Sequence, residues 1–288
     1  MTTHLRHERL GDHYTPRPLS QFVEAASVRD IDLSKYAAMS KAEQLEKILI
    51  HKKWRHHHGI SELETRDDLY VAYVRRIEEM LTLIRDALSR AGLLESLEEK
   101  SIVDLAASEG FVSTRLVDWG ATSIDAFELS DGGLERFGLV WSYLDYAAKA
   151  HCGLYQLDFD QVNWAGQLDA PYDLVFALGI IYHLENPLLF ARNLYEATNE
   201  VCIIESDTPI FDEPQRFRGN GVVYLNKDQV TVSAGNVRKL IEFRPDREAL
   251  IDMMLTAGFR SAEVLEPPPE VQGTFFARGE KSVLLCMK

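Results

Sequence analysis

The sequence predicts an α/β protein: an open, mostly parallel sheet with helices on both faces, an N-terminal helical extension and an insertion after the fifth strand. Three observations predict it. Short apolar runs at 102–105, 121–128, 153–157, 172–178 and 201–205 alternate with segments of helical periodicity. The first run ends in small residues, Ala106-Ala107-Ser108-Glu109-Gly110, and passes directly into a helical pattern. Two strand-like runs, Ala262 to Leu265 and Ser282 to Cys286, close the chain as a hairpin-like pair whose last strand is antiparallel. A chain of 288 residues, 46% hydrophobic, can bury one full α/β core with additions. The expected division is an arm and cap segment over 1–66 and one domain over 67–288, with 206–244 as a substrate-covering insertion.

Residues 1 to about 40 mix charge with Pro16 and Pro18 and predict an irregular arm with a short helix near Gln21 to Ala26. Ser40-Lys41-Ala42-Glu43 reads as a capping box, after which Leu45, Ile48 and Leu49 share one helical face and the chain is delivered to Trp54. His56, His57 and His58 read as solvated, because three adjacent imidazoles cannot all face one ion and no fourth ligand stands at a standard spacing. No metal is expected. Asp67 or Asp68 can cap a long amphipathic helix carrying Leu69, Val74, Ile77, Met80, Leu81, Ile84 and Leu88, ending near Gly92. Past the first strand, Phe111, Val112, Leu116 and Val117 recur at helical spacing, and Leu134, Phe137, Val140 and Trp141 mark the helix after the second strand. Pro187 fits a first helical turn before the fifth strand. Beyond Ser206 the alternation stops. Two β-like runs, Val222-Val223-Tyr224 and Val230-Thr231-Val232, stand among Pro and Gly, and Asp246 then caps a last helix that Gly258 ends.

Charge and cysteine usage narrow the function. A net charge of −14 argues against broad phosphate contact and so against nucleic acid as the partner, although His51 to His58 forms a local basic stretch. Cys152, Cys202 and Cys286 lack the spacing of a zinc site or a disulfide framework and read as core thiols. With no signal-like N-terminus and no apolar run of spanning length, a cytoplasmic protein without membrane contact is expected. Oligomeric state is open, a homodimer being one option.

The turn after the first strand is where chemistry is expected. Gly110 can take positive φ, and Ala106 and Ser108 leave little bulk, so a ligand can approach the helix N-terminus. Glu128 ends the second strand about twenty residues after the turn, followed by Leu129, in the place of a ribose-binding acid. The loop is not a Gly-x-Gly-x-x-Gly dinucleotide fingerprint, and Asp104 inside the strand end is a feature that fingerprint does not ask for.

The run Val103-Asp104-Leu105-Ala106-Ala107-Ser108-Glu109-Gly110-Phe111 resembles motif I of class I S-adenosylmethionine-dependent methyltransferases. The run Tyr172 to Pro187 resembles their strand-four motif, and its Leu178-Gly179-x-x-Tyr182-His183 core is similar to that of tRNA wobble-uridine carboxymethyltransferases and of many small-molecule methyltransferases. Where that family usually has Gly-Cys-Gly, this chain has Ala106-Ala107-Ser108. The resemblance implies a Rossmann-like, seven-stranded sheet and S-adenosyl-L-methionine as cofactor. It implies contacts from Asp104, Ala106, Ser108, Gly110, Glu128, Leu129 and Leu178, with Asp158 meeting the adenine amino group and Phe159 packing its ring. Apart from the resemblance, the segment around Trp54 to Ile60 is left over outside the sheet and is expected to cover the pocket, Trp54 adding an aromatic face at the cofactor. His183 is the candidate base, its ordinary pKa suiting proton removal, and Tyr182 a candidate to orient the acceptor. Glu205, Asp207, Arg216, Arg218 and His58 are candidates for substrate contact, the arginines for a carboxylate or phosphate. The expected activity is methylation of a small molecule on O, N or S. Two alternatives stand beside it: methyl or carboxymethyl transfer to a tRNA wobble uridine, and a methyltransferase-like protein that binds without catalysing.

Overall fold

The fold is that of a computed structural model. The structure describes residues 28–51, 54, 56, 58–64, 71–168, 171–208, 223–233, 236–267 and 275–288. The expected helix near Gln21, the acids Asp67 and Asp68, and both Arg216 and Arg218 lie outside the described residues.

Among the described residues, a two-residue strand, β1 (Arg29–Asp30), and three short helices, α1 (Ser34–Ala37), α2 (Lys41–Ile50) and α3 (Ser61–Glu64), precede the long α4 (Val71–Arg90). The sheet units follow: β2 (Ile102–Leu105), α5 (Phe111–Asp118), β3 (Ser123–Glu128), α6 (Asp131–Tyr143), β4 (His151–Gln156), β5 (Tyr172–Leu178), α7 (Pro187–Ala197) and β6 (Thr198–Asp207). A hairpin, β7 (Val223–Ser233) and β8 (Asn236–Pro245), precedes α8 (Arg247–Ala257), β9 (Ser261–Val264) and β10 (Lys281–Met287).

The main sheet runs β1-β4-β3-β2-β5-β6-β10-β9. Strands β4, β3, β2, β5 and β6 are mutually parallel, and β10 pairs antiparallel with both β6 and β9. The strand order reverses between β2 and β5, which opens a crevice at their carboxyl ends. The expected seven strands are these, and β1 adds an eighth by antiparallel pairing with β4.

Alternation along the strands divides the core. Ile102, Ile124, Ala126, Leu174, Phe176 and Ile203 pack with α4, α5 and α6 on one face, through Leu88, Leu116 and Trp141 among others. Val103, Leu105, Val175, Ala177, Cys202 and Ile204 pack on the other, with α7 and α8 through Phe190, Leu194, Leu250 and Met254. Both faces of the central strands are therefore buried, as parallel strands require. Cys202 and Cys286 are buried core thiols, while Cys152 is half-buried.

A third cluster, of Tyr36, Ile48, Trp54, Ile60 and Leu63, seats the N-terminal segment on Leu139 and Val140 of α6. The capping box of α2 is formed, Ser40 Oγ accepting from the Glu43 amide at 3.3 Å. The buried face of α2 differs from the expected one. Gln44 is buried beside Ile48, its amide donating to the Tyr36 carbonyl at 2.7 Å, and Leu49 is exposed. Among the described residues no helix is long and apolar enough to cross a membrane.

Candidate cofactor and acceptor site

The β2–α5 loop reaches its shape through three left-handed residues: Ala106 (φ 61°), Ser108 (φ 53°) and Gly110 (φ 79°). Gly110 is irreplaceable here on two counts, since a Cβ on it would stand 2.6 Å from the Phe137 ring. The loop is anchored by the Ala107 amide donating to the Phe127 carbonyl at 2.9 Å, one strand over. Glu128 draws the two strand ends together. Its Oε2 accepts from the Ser108 amide at 3.0 Å, and its Oε1 accepts from the Ser130 amide and hydroxyl at 2.8 and 2.7 Å. Ser130 also caps α6, accepting from the Gly133 amide. The acid expected to hold ribose thus stands half-buried at the crevice, already oriented by the loop it faces.

Asp104 lies beneath the loop, 2% exposed, and accepts a 2.6 Å hydrogen bond from Ser113 Oγ on α5. Burial pushes its pKa up to about 7 against the pull of the Ser113 hydrogen bonds, with the Glu128 charge adding to the rise. Asp158 follows β4, half-buried, and its Oδ1 accepts from the Asp160 amide at 3.1 Å. Phe159 is buried edge-on to Trp164 and Phe190, so its ring belongs to the core below the crevice. Leu129 and Leu178 are half-buried at the ends of β3 and β5.

Tyr182 and His183 occupy a single 3-10 turn, Ile181–His183, just past β5, with ring centroids 4.2 Å apart. Beside them a charged cluster closes the same edge of the sheet. Because β10 is antiparallel, its first residue, Lys281, pairs in register with Asp207 at the end of β6. Lys281 Nζ donates to Glu205 Oε1 at 2.9 Å and to Asp207 Oδ1, and lies 5.4 Å from the Tyr182 ring centroid. Gly179 (φ 75°) lets Glu205 and Tyr182 close on the backbone, since a Cβ on it would lie 3.3 Å from Glu205 Oε2 and 3.5 Å from the Tyr182 hydroxyl. Strand β8 lies against the Ile181–His183 turn, and Arg244 near its end is 3.6 Å from Asp207.

The expected solvation of the histidines is corrected. His56 and His58 are not solvated: they are 5% and 7% exposed and turn inward onto Glu109. Trp54, expected to offer its face to the cofactor, donates its indole N–H to the Ile48 carbonyl at 2.8 Å and packs in the third cluster. His58, expected at the substrate, has its Nε2 3.6 Å from Glu109 Oε1. Sequence reasoning missed Glu109, Arg136 and Lys281. The signals were a charged residue inside a loop of small ones and a lysine opening an apolar strand; neither names its partner without the fold.

No protein-family profile matches the chain. Among curated proteins it is 24% identical over 137 residues to a tRNA U34 carboxymethyltransferase of Nautilia profundicola, covering 45% of this chain and 43% of that protein. It is 25% identical over 170 residues to a protein of the same name from a Sulfurovum species, covering 59% of this chain and 51% of the other. The chain thus matches about half the length of these relatives. Among solved structures, magnesium protoporphyrin IX methyltransferase from Synechocystis, crystallised with bound SAH, aligns with a TM-score of 0.50 at 12% identity, over 88% of this chain and 97% of that one. Strand order, the antiparallel strand within the sheet and this likeness together give the chain the fold of class I S-adenosylmethionine-dependent methyltransferases, which it also resembles in sequence.

Proposed function

We propose that the protein is an S-adenosyl-L-methionine-dependent methyltransferase with a small-molecule acceptor. The observation that carries the cofactor is the convergence of Ser108 and Glu128. A half-buried carboxylate at the end of β3 is held by the amide of the loop that leads from β2 into α5, beside the point where the strand order reverses between β2 and β5. In this reading Glu128 accepts from the ribose hydroxyls, Asp158 from the adenine amino group, and Leu129 and Leu178 flank the cofactor. The bound cofactor supplies an activated methyl group. The chain then holds an acceptor in line and, where the acceptor is protonated, removes its proton. In this reading His183, in the turn just past β5, takes that proton, and Tyr182 and Glu205 orient the acceptor.

A small acceptor is favoured by the crowding of this end: Glu205 and Tyr182 stand close on Gly179, and β8 lies against the neighbouring turn. Transfer to a tRNA wobble uridine is the second reading, favoured by the names of the relatives. The two separate in one experiment. The protein is incubated with S-adenosylmethionine carrying a labelled methyl group, together with either bulk tRNA or a metabolite extract. Label in the small-molecule fraction supports the first reading, label in nucleosides from digested tRNA supports the second, and label in neither rejects both.

A further inference from the structure

His56, His58 and Glu109 each offer one ligand atom within 4.8 Å of the others, and all three side chains are buried. Two imidazoles and one carboxylate are the donor set of several zinc sites that keep a fourth position open. The arrangement has the marks of a shaped site. His58 holds a left-handed backbone (φ 52°), which a residue with a Cβ adopts at a cost when the surroundings enforce it. Phe111 stacks on His56 at 4.1 Å and meets His58 edge-on at 5.3 Å, while Trp54 meets His58 edge-on at 5.7 Å, so aromatic rings wall both ligands. Arg136 stands 3.5 Å from Glu109 Oε2, which orients the carboxylate and leaves Oε1 toward the rings. We propose that His56, His58 and Glu109 bind a divalent transition cation of the zinc class, which fastens the N-terminal segment to the loop that joins β2 to α5.

The distances are close to what such an ion needs. Tetrahedral bonds of about 2.1 Å place ligand atoms roughly 3.4 Å apart. Here Glu109 Oε1 is 2.8 Å from His56 Nδ1 and 3.6 Å from His58 Nε2. Entry of the cation replaces the hydrogen bond between His56 Nδ1 and Glu109 Oε1 by two coordinate bonds and moves that ring by about half an ångström. The shared proton leaves to solvent or shifts to His56 Nε2 as the neutral tautomer changes, and the His56 amide keeps its 2.7 Å hydrogen bond to Oε1. No covalent chemistry is required. Since Glu109 lies between the two left-handed residues Ser108 and Gly110, the ion stiffens the loop at its centre.

The test uses the full chain, stripped with a chelator and titrated with cobalt(II), whose d–d absorption is intense in four-coordinate sites and weak in water. The proposal expects one intense band set saturating at one equivalent and erased by zinc, together with a zinc-dependent rise in melting temperature. Glu109→Gln and His58→Ala should each weaken cobalt binding at least tenfold, while His151→Ala, an exposed imidazole elsewhere, should not. An aqueous-type cobalt spectrum and an unchanged melting temperature in the unsubstituted protein would show a hydrogen-bonded clamp without metal and overturn the proposal. So would full cobalt affinity in the Glu109→Gln variant. The spectrum and melting curve of the unsubstituted chain decide even if a variant fails to fold, and they do not depend on methyl transfer.

Discussion

Ala106 and Ser108 hold left-handed backbones where glycine would be free of strain. Relief of roughly 1–2 kcal/mol in the folded loop exceeds the roughly 0.4–1 kcal/mol that glycine adds to the unfolded chain's entropy. Ala106→Gly should therefore stabilise the protein by up to about 1 kcal/mol, read in thermal melting. Gly110→Ala should do the reverse, by about 2 kcal/mol or more, because it combines positive φ with a clash against Phe137. Asp104 gives a pH signature. Its folded pKa of about 7 lies above its ordinary value of 3.8, so the native state binds the extra proton between these values. The group therefore costs stability progressively as pH rises from about 4 to about 7, by a few kcal/mol in all. The difference between the unsubstituted chain and Asp104→Asn should fall across that window and then level off; a flat difference would show that Asp104 is not buried as described. Asp104, Gly110 and Glu128 were legible in the sequence because motif spacing fixes them. The inward turn of His56 and His58 was not, since it depends on Glu109, more than fifty residues away in the chain.

At the scale of elements, the central strands were legible because each is buried on both faces and reads as a short apolar run. Strand β1 was not: two exposed residues carry no period, and only its partner β4 makes it a strand. In the insertion, Val223-Tyr224 of the first β-like run and Val230-Thr231-Val232 of the second lie in one strand, β7, and the returning strand is β8, whose Asn-Val-Arg-Lys-Leu-Ile-Glu-Phe-Arg-Pro sequence gave no clear strand signal. A buried cation stands at one end of the β10–β6 pairing. Lys281 and Glu205 are 6% and 2% exposed, so Lys281→Met strands a carboxylate in the interior. That should cost about 3–5 kcal/mol, measured by urea unfolding; a loss below about 1 kcal/mol would mean that the pair behaves as a surface one. The charges beside the Ile181–His183 turn, proposed above as the acceptor end, are thus also those of the join between the last strand and the sheet.

Over the whole molecule, the parallel strands bring the end of β2, the end of β3 and the turn after β5 to one edge, and the antiparallel β10 returns Lys281 to that edge. The N-terminal segment reaches the same loop from outside through His56 and His58, so residues far apart in sequence frame one crevice. The acidity of the chain bears on what can enter it: with a net charge of −14, tRNA would have to find a local basic surface. The central claim is that this crevice takes S-adenosylmethionine with Glu128 on its ribose. Titration calorimetry with S-adenosylhomocysteine tests it most directly, with NAD as the competitor nucleotide and Glu128→Gln as the variant. The account predicts one-to-one binding of S-adenosylhomocysteine, no heat from NAD, and an affinity at least tenfold weaker in the variant, as expected when a charge-assisted hydrogen bond is lost. Equal affinity in the variant would remove Glu128 from the site, and absence of binding to the unsubstituted protein would contradict the account itself.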